Sequence, residues 1–213
     1  MLLHITRHGQ IQLNTEYCDP DLSMLGRKQA SLLGKRLKRM KFNGPIYSSP
    51  FLRTLETAQL IADQTGAKIY PASSLREMVF DTDYFTNFSG ITPEEAKTRF
   101  NSIDKNASFE YPWWIIKEET HEDVYNRAAP FIESILKEGK DCLILGHGAT
   151  HWAALTYMLN ISGYELQKHP PDYNCVLSTF KIEKKVTPLR IMDISHIPPK
   201  MITSNEFLLI SKK

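Results

Sequence analysis

Three short apolar runs, Leu2–Thr6, Pro45–Ser48 and Cys142–Leu145, are each followed by a segment of helical period, after a longer connection in the first case and within five residues in the other two. That alternation leaves few folds open, because runs of this length bounded by turn residues read as short buried strands. Over Leu22–Met40 the residues Leu25, Leu32, Leu33, Leu37 and Met40 recur near helical spacing behind a capping Ser23. Phe51–Thr65 turns Leu55, Ala58, Ile61 and Ala62 inward and stops at Gly66. Lys68–Tyr70 reads as a further strand. Thr92-Pro93-Glu94-Glu95 opens a helix with a capping box and a proline at its first position. Thr120 to about Lys137 is another helix, with Gly139 as its stop, and Thr150–Asn160 is the helix after the third run. Cys175–Ile182 and Leu189–Ile194 look like a final strand pair. This order predicts an α/β fold, a three-layer α/β/α sandwich with a mainly parallel central sheet.

A chain of 213 residues fits one domain (1–213) with a cap-like insertion at about residues 80–118. Within it, Phe80 to Trp114 breaks the alternation with Phe80, Tyr84, Phe85, Phe88, Phe100, Phe109, Tyr111, Trp113 and Trp114. Such a cluster makes a satellite core, a lid or substrate wall, or both at once. Lys and Arg number 26 against 24 Asp and Glu, and a net +2 gives no argument for nucleic acid or an anionic membrane as partner. No apolar run approaches the roughly 18 to 20 residues that span a bilayer. Cys18, Cys142 and Cys175 are odd in number and form no CxxC, which speaks against a disulfide framework or zinc site and for a reducing compartment. The opening MLLHITRHG leaves no room for a signal peptide before the first chemical motif, so a cytoplasmic location is expected.

Ligands of open parallel sheets bind beyond the carboxyl ends of the strands. Here the first run ends in Thr6-Arg7-His8-Gly9, the second in Ser48-Ser49-Pro50-Phe51-Leu52-Arg53 and the third in Gly146-His147-Gly148. On that fold Arg7, His8, Arg53 and His147 converge at one edge. The set suits a phosphate monoester, a dianion that repels anionic nucleophiles and is better attacked by a neutral imidazole. Arginines grip phosphate oxygens with paired donors, and a protonated second imidazole would add charge in the transition state. Backbone N–H groups near Gly9 and Gly148 have room to approach the anion. The leaving alkoxide needs a proton. Glu77, in Ser74-Leu75-Arg76-Glu77-Met78, is the expected donor, with Asp81 and Asp83 close by as alternatives. Singly, each motif also fits a satisfied core histidine or a solvated surface charge; their joint order at strand ends carries the reading.

The stretches Thr6-Arg7-His8-Gly9, Asn14, Leu22-Ser23-x-x-Gly26-x-x-Gln29-Ala30, Ser48-Ser49-Pro50 through Arg53-Thr54-x-x-Thr57-Ala58, Leu75-Arg76-Glu77, Glu119-Thr120-x-x-Asp123-Val124-x-x-Arg127 and Gly146-His147-Gly148 run over most of the chain. In them the sequence resembles the histidine phosphatase superfamily, in its phosphoglycerate-mutase-like branch. The resemblance implies His8 as the phosphorylated nucleophile, Arg7, Arg53 and His147 as the phosphate pocket, Asn14 as an auxiliary phosphate ligand and Glu77 as proton donor. It implies no metal and no other cofactor. Two departures bear on the substrate. Mutases of the branch carry paired arginines in the insertion, where this chain has Lys97, Arg99, Lys105 and Tyr111-Pro112-Trp113-Trp114. Broad phosphatases of the branch follow the acid with a Gly-x-Trp-Glu-Gly-like segment, where this chain reads Met78-Val79-Phe80-Asp81-Thr82-Asp83.

The expectation is therefore a phosphatase acting on a small phosphorylated metabolite, with a homodimer compatible with the sequence. The rivals are a phosphoglycerate mutase and a catalytically idle binding protein that uses the Trp113-Trp114 region. His147 and His151 are four apart, but the glutamate of HExxH is absent. His4 falls inside a strand, and His121, His169 and His196 read as loop or surface positions. The cluster Lys35-Arg36-x-Lys38-Arg39-x-Lys41 reads as a solvated helix face.

Overall fold

Side chains alternate across a strand, so Leu3 and Ile5 leave β1 (Leu2–Arg7) on one face while His4 and Thr6 leave it on the other. All four are buried, which requires cover on both faces. The computed structural model, which describes residues 1–12, 18–161 and 172–204, supplies that cover as helical layers on either side of a sheet. After β1 come α1 (Met24–Arg39), β2 (Ile46–Ser48), α2 (Leu52–Thr65), β3 (Ile69–Pro71), α3 (Pro93–Arg99), α4 (His121–Lys137), β4 (Cys142–Gly146), α5 (Gly148–Leu159), β5 (Leu177–Ile182) and β6 (Val186–Asp193). The sheet order is β3-β2-β4-β1-β5-β6. The first four of these strands run parallel, and β5 and β6 close one side antiparallel.

Each face has its own core. Leu33 and Leu37 of α1 and Leu55 and Ile61 of α2 pack with Leu143 and Leu145 on one side. Val124 and Ile132 of α4 and Leu155 of α5 pack with Leu3, Ile5 and Ile144 on the other. Each of these aliphatic side chains contributes about 1.5–3 kcal/mol on burial. Buried polar groups on the sheet are partnered: His4 Nδ1 lies 3.0 Å from Thr179 Oγ1, and Thr6 Oγ1 donates to Val176 O at 2.6 Å. A third, smaller core of Cys18, Phe51, Val79, Phe85 and Trp113, flanked by Phe88, Phe109 and Trp114, is the satellite core of the aromatic insertion. Phe100 instead joins the α1–α2 core.

The elements start and stop where the caps say. Ser23 accepts from Gly26 N, Thr92 and Thr120 form capping boxes, and Gly66 ends α2 at φ 78°. The fifth strand starts at Leu177 rather than Cys175, because Cys175 takes φ 55° and turns its N–H onto the Arg7 and His8 carbonyls. Helix α5 starts at Gly148, two residues before the apolar period begins. His196 is 8% exposed, its Nε2 2.9 Å from Cys175 O, and so is a core residue rather than a surface one. His169 lies outside the described residues. No helix among the described residues is long and apolar enough to cross a membrane.

Candidate active site

The parallel strands β1, β2 and β4 end at one edge of the sheet and deliver charged or imidazole side chains there. Arg7 is the last residue of β1, and His8 follows it. Arg53 sits in the first turn of α2 directly after β2, and His147 caps α5 directly after β4. Arg7 is 5% exposed, Arg53 1%, and the two histidines are fully buried with ring centroids 5.3 Å apart. The turn after β3 adds Glu77. Its Oε2 stands 3.6 Å from Arg53 Nη2 and 3.3 Å from His147 Nδ1. The latter is a close approach and not a hydrogen bond, since His147 Nδ1 has no hydrogen-bond partner among the described residues. All five residues expected at this edge are thus brought together. Asn14 lies outside the described residues.

The backbone of His8 is held on both sides. Its N–H donates to Gly146 O at 3.1 Å, and its carbonyl accepts from Asn174 Nδ2 at 3.1 Å and Cys175 N at 3.3 Å. A carbonyl only accepts, so the 2.7 Å contact between His8 Nδ1 and Gly9 O places the proton on Nδ1. The lone pair then sits on Nε2, which has no hydrogen-bond partner among the described residues. Burial, then the charges of Arg53 and Arg7, push the pKa of His8 well below 6.5, which keeps that lone pair free of a proton. His147 is also pushed well below 6.5, by burial first and then by Arg53, His8 and Arg7. Its Nε2 is 2.8 Å from Ser49 Oγ, and Phe51 packs edge-on against its ring at 5.0 Å.

The arginines are fixed from behind. Arg53 Nη1 donates to Asp19 Oδ1 at 3.1 Å and Cys18 O at 3.2 Å, and its guanidinium lies 4.3 Å over the Phe51 ring. Asp19 also accepts from Leu52 N at 2.7 Å; burial pushes its pKa up to about 6 against the pull of Arg53. Arg7 Nη1 donates to the Asp172 carbonyl at 2.6 Å. The Glu77 turn is braced by a buried carboxylate between two guanidiniums. Glu119 Oε1 accepts from Arg76 at 2.7 Å and from Arg127 Nε at 2.9 Å, and its Oε2 accepts from Val79 N at 3.2 Å. Arg127 also donates to the carbonyls of Ser74 at 2.8 Å, Arg76 at 2.9 Å and Glu77 at 3.3 Å.

Gly9 corrects one expectation. Its N–H donates to Thr57 Oγ1 at 3.1 Å, so it does not point at an anion, and a Cβ there would sit 2.6 Å from Gly26 O. The glycine is needed to seat the His8 loop on α1. Gly148 stands half-buried in the first turn of α5. Asp19 and Asp172 carried no signal in the sequence, since each acts on a residue 34 or 165 positions away. Ser49, Glu119 and Arg127 stood in the quoted motifs without a role. His8, Glu77 and His147 offer ligand atoms within 4.8 Å of one another, a spacing a metal ion accepts. The Arg53 and Arg7 charges that depress both histidines would repel a cation by the same field, so the site suits an anion.

The histidine phosphatase superfamily (branch 1) profile matches residues 3–193, and the chain belongs to that family. Among relatives, the chain is 26% identical over 183 residues to a probable phosphoglycerate mutase GpmB of Serratia proteamaculans, covering 83% of this chain and 82% of that one. It is 25% identical over 200 residues to a 2,3-bisphosphoglycerate-dependent phosphoglycerate mutase of Methanococcus vannielii, covering 76% and 83%. Among solved structures, Bacillus stearothermophilus YhfR superposes with a TM-score of 0.67 at 25% identity, covering 92% of this chain and 99% of that one. The ecdysone phosphate phosphatase of Bombix mori shares the fold with a TM-score of 0.71 at 19% identity, over 96% of each chain.

Proposed function

We propose that the chain is a metal-independent phosphatase that hydrolyses a small phosphate monoester through a phosphohistidine on His8. The observation that carries the reading is the His8 tautomer: Nδ1–H held by Gly9 O, with an unprotonated Nε2 buried in the field of Arg53 and Arg7 and Glu77 within 4.8 Å of the ring. Arg7 and Arg53, with His147 and the first turn of α5 at Gly148, bind the phosphate oxygens, and Asn14 is an auxiliary ligand. His8 Nε2 attacks phosphorus as the ester P–O bond breaks. Glu77 passes a proton to the leaving oxygen. Water then attacks the phosphohistidine, Glu77 takes the water proton, and phosphate departs as the N–P bond breaks, which returns His8 and Glu77 to their starting states. Arg53, beside both Glu77 and His8, follows the charge through both steps.

The mutase names of the relatives support a second reading, in which the phosphoryl group returns to a bound intermediate. Two of the cations available in the insertion for a second phosphate are engaged: Lys97 Nζ donates to Lys105 O at 3.1 Å, and Arg99 pairs with Asp21 at 2.7 Å. Acid-labile, base-stable ³²P on His8 after quenching during turnover, absent in His8→Ala, is the expected result. Near wild-type turnover by that variant would require another nucleophile. Rapid exchange between 3- and 2-phosphoglycerate with little free phosphate would establish the mutase instead.

A further inference from the structure

Joined to Arg7 through a main-chain carbonyl is a buried chain of polar groups that neither reaction step uses. His151, one turn into α5, places Nδ1 2.5 Å from Asp172 Oδ1. A carboxylate accepts, so Nδ1 carries the proton. His151 Nε2 lies 3.4 Å from Ser178 Oγ on β5. Ser178 Oγ in turn accepts from Met192 N at 3.0 Å, which leaves its O–H for the imidazole. Met192 holds φ 53°, at the irregular register between β5 and β6, and that conformation aims its N–H inward. The chain ends on the Asp172 main-chain carbonyl, which accepts from Arg7 Nη1 at 2.6 Å.

Packing alone does not account for the arrangement. The Asp172 side chain is 5% exposed and His151 1%, and Asp172 Oδ2 has no hydrogen-bond partner among the described residues. A buried carboxylate–imidazole pair adds little stability over apolar residues of like size. A purpose outside stability is therefore indicated, and one is within reach. The side chain of Asp172 is anchored to α5, the helix that His147 caps, and its own carbonyl grips the guanidinium at the end of β1.

We propose that His151 and Asp172 are positioning residues for Arg7: the pair locks the Asp172 carbonyl to α5 and so fixes the guanidinium where phosphate oxygens bind. The inference rests on the phosphate pocket proposed above. Supporting groups behind a binding side chain carry affinity although they never touch the ligand. Nothing covalent is involved, and the pair acts through Arg7 alone.

The test uses the full chain and inorganic phosphate as the probe, its dissociation constant read by calorimetry. Arg7→Ala should weaken phosphate; no effect would remove the pocket itself, a different failure from that of the pair. His151→Gln, whose amide falls near the Nε2 position, should weaken phosphate about tenfold. His151→Asn, whose amide falls near Nδ1 and keeps a donor for Asp172, should stay within about threefold of the parent. In the Arg7→Ala background His151→Gln should add nothing, because its effect passes through the missing guanidinium. Ser178→Ala, a milder change at the far end of the chain, provides a second reading if the Gln variant does not fold. Its expected weakening of about threefold should likewise vanish without Arg7. Equal weakening by Asn and Gln, or losses that multiply in the Arg7→Ala background, would overturn the proposal.

Discussion

The lone pair on His8 Nε2 is left free by what surrounds it. The ring's other nitrogen donates to a carbonyl 2.7 Å away, and burial first, then two guanidiniums, keeps the ring neutral. The same guanidiniums bear on metal dependence. In the proposed mechanism they supply the positive charge that a divalent ion gives metal-dependent phosphatases, so turnover of p-nitrophenyl phosphate should survive excess EDTA. Loss of activity on chelation, restored by a divalent ion, would sink the mechanism. Glu77 is the residue whose role most needs a direct measurement, since Asp81 and Asp83 share its loop. If Glu77 protonates the leaving oxygen, Glu77→Gln should slow alkyl phosphates by about 10²-fold and p-nitrophenyl phosphate far less, because a nitrophenolate leaves unaided. Equal losses in the pre-steady-state burst would assign the proton to another group. These five residues were readable in the sequence because each sits within a few positions of a strand end or a helix start. Asp19 and Asp172 were not, because their roles are contacts between distant segments and depend on how the loops close.

At the scale of elements, the turn after β3 is the part of the site without a regular scaffold. A short 3-10 turn, Ser73–Leu75, leads into Glu77, and the main chain there is held by Arg127 of α4 and by Glu119, just before that helix's cap. Glu119 is the keystone, 5% exposed between Arg76 and Arg127. Removing it leaves two guanidiniums largely buried and unpaired, a change that costs about 3–5 kcal/mol. Glu119→Ala should therefore lower the unfolding free energy by about that amount in urea titrations. In the fraction still folded it should weaken alkyl phosphate turnover more than p-nitrophenyl phosphate turnover, since the misplaced group is Glu77. A loss of stability with both substrates affected alike would separate the brace from the acid. The helices and their caps were legible from periodicity and from Ser23, Thr92 and Thr120, because those signals are local. The start of β5 was not, because the left-handed turn at Cys175 answers to the His8 carbonyl rather than to its own neighbours.

Across the whole molecule, buried neutral histidines, in the site and outside it, set how stability varies with pH. His4 is lowered from 6.5 to about 4 by burial; His8, His147 and His196 are also lowered, with burial the largest cause each time. Above about pH 6.5 these rings are neutral whether the chain is folded or not, and they contribute no pH dependence. Below it the unfolded chain takes up protons that the folded chain refuses, so stability falls as pH falls, until each folded ring is itself protonated. For His4 that window runs from 6.5 to about 4 and amounts to about 3 kcal/mol at its end. Asp19 works the other way: with its pKa raised to about 6 it takes up a proton before an unfolded carboxyl does, and it stabilises the fold as pH falls from 6 toward 3.8. One carboxyl offsets about one imidazole, and the remaining rings decide the sign. Urea unfolding at pH 7, 5.5 and 4.5 should give a midpoint that drops steadily, and His4→Asn should flatten the curve by removing one of the protons taken up on unfolding. A midpoint that stays level or rises over that range would mean the buried rings are already protonated in the fold. That would also take the neutral nucleophile away from His8.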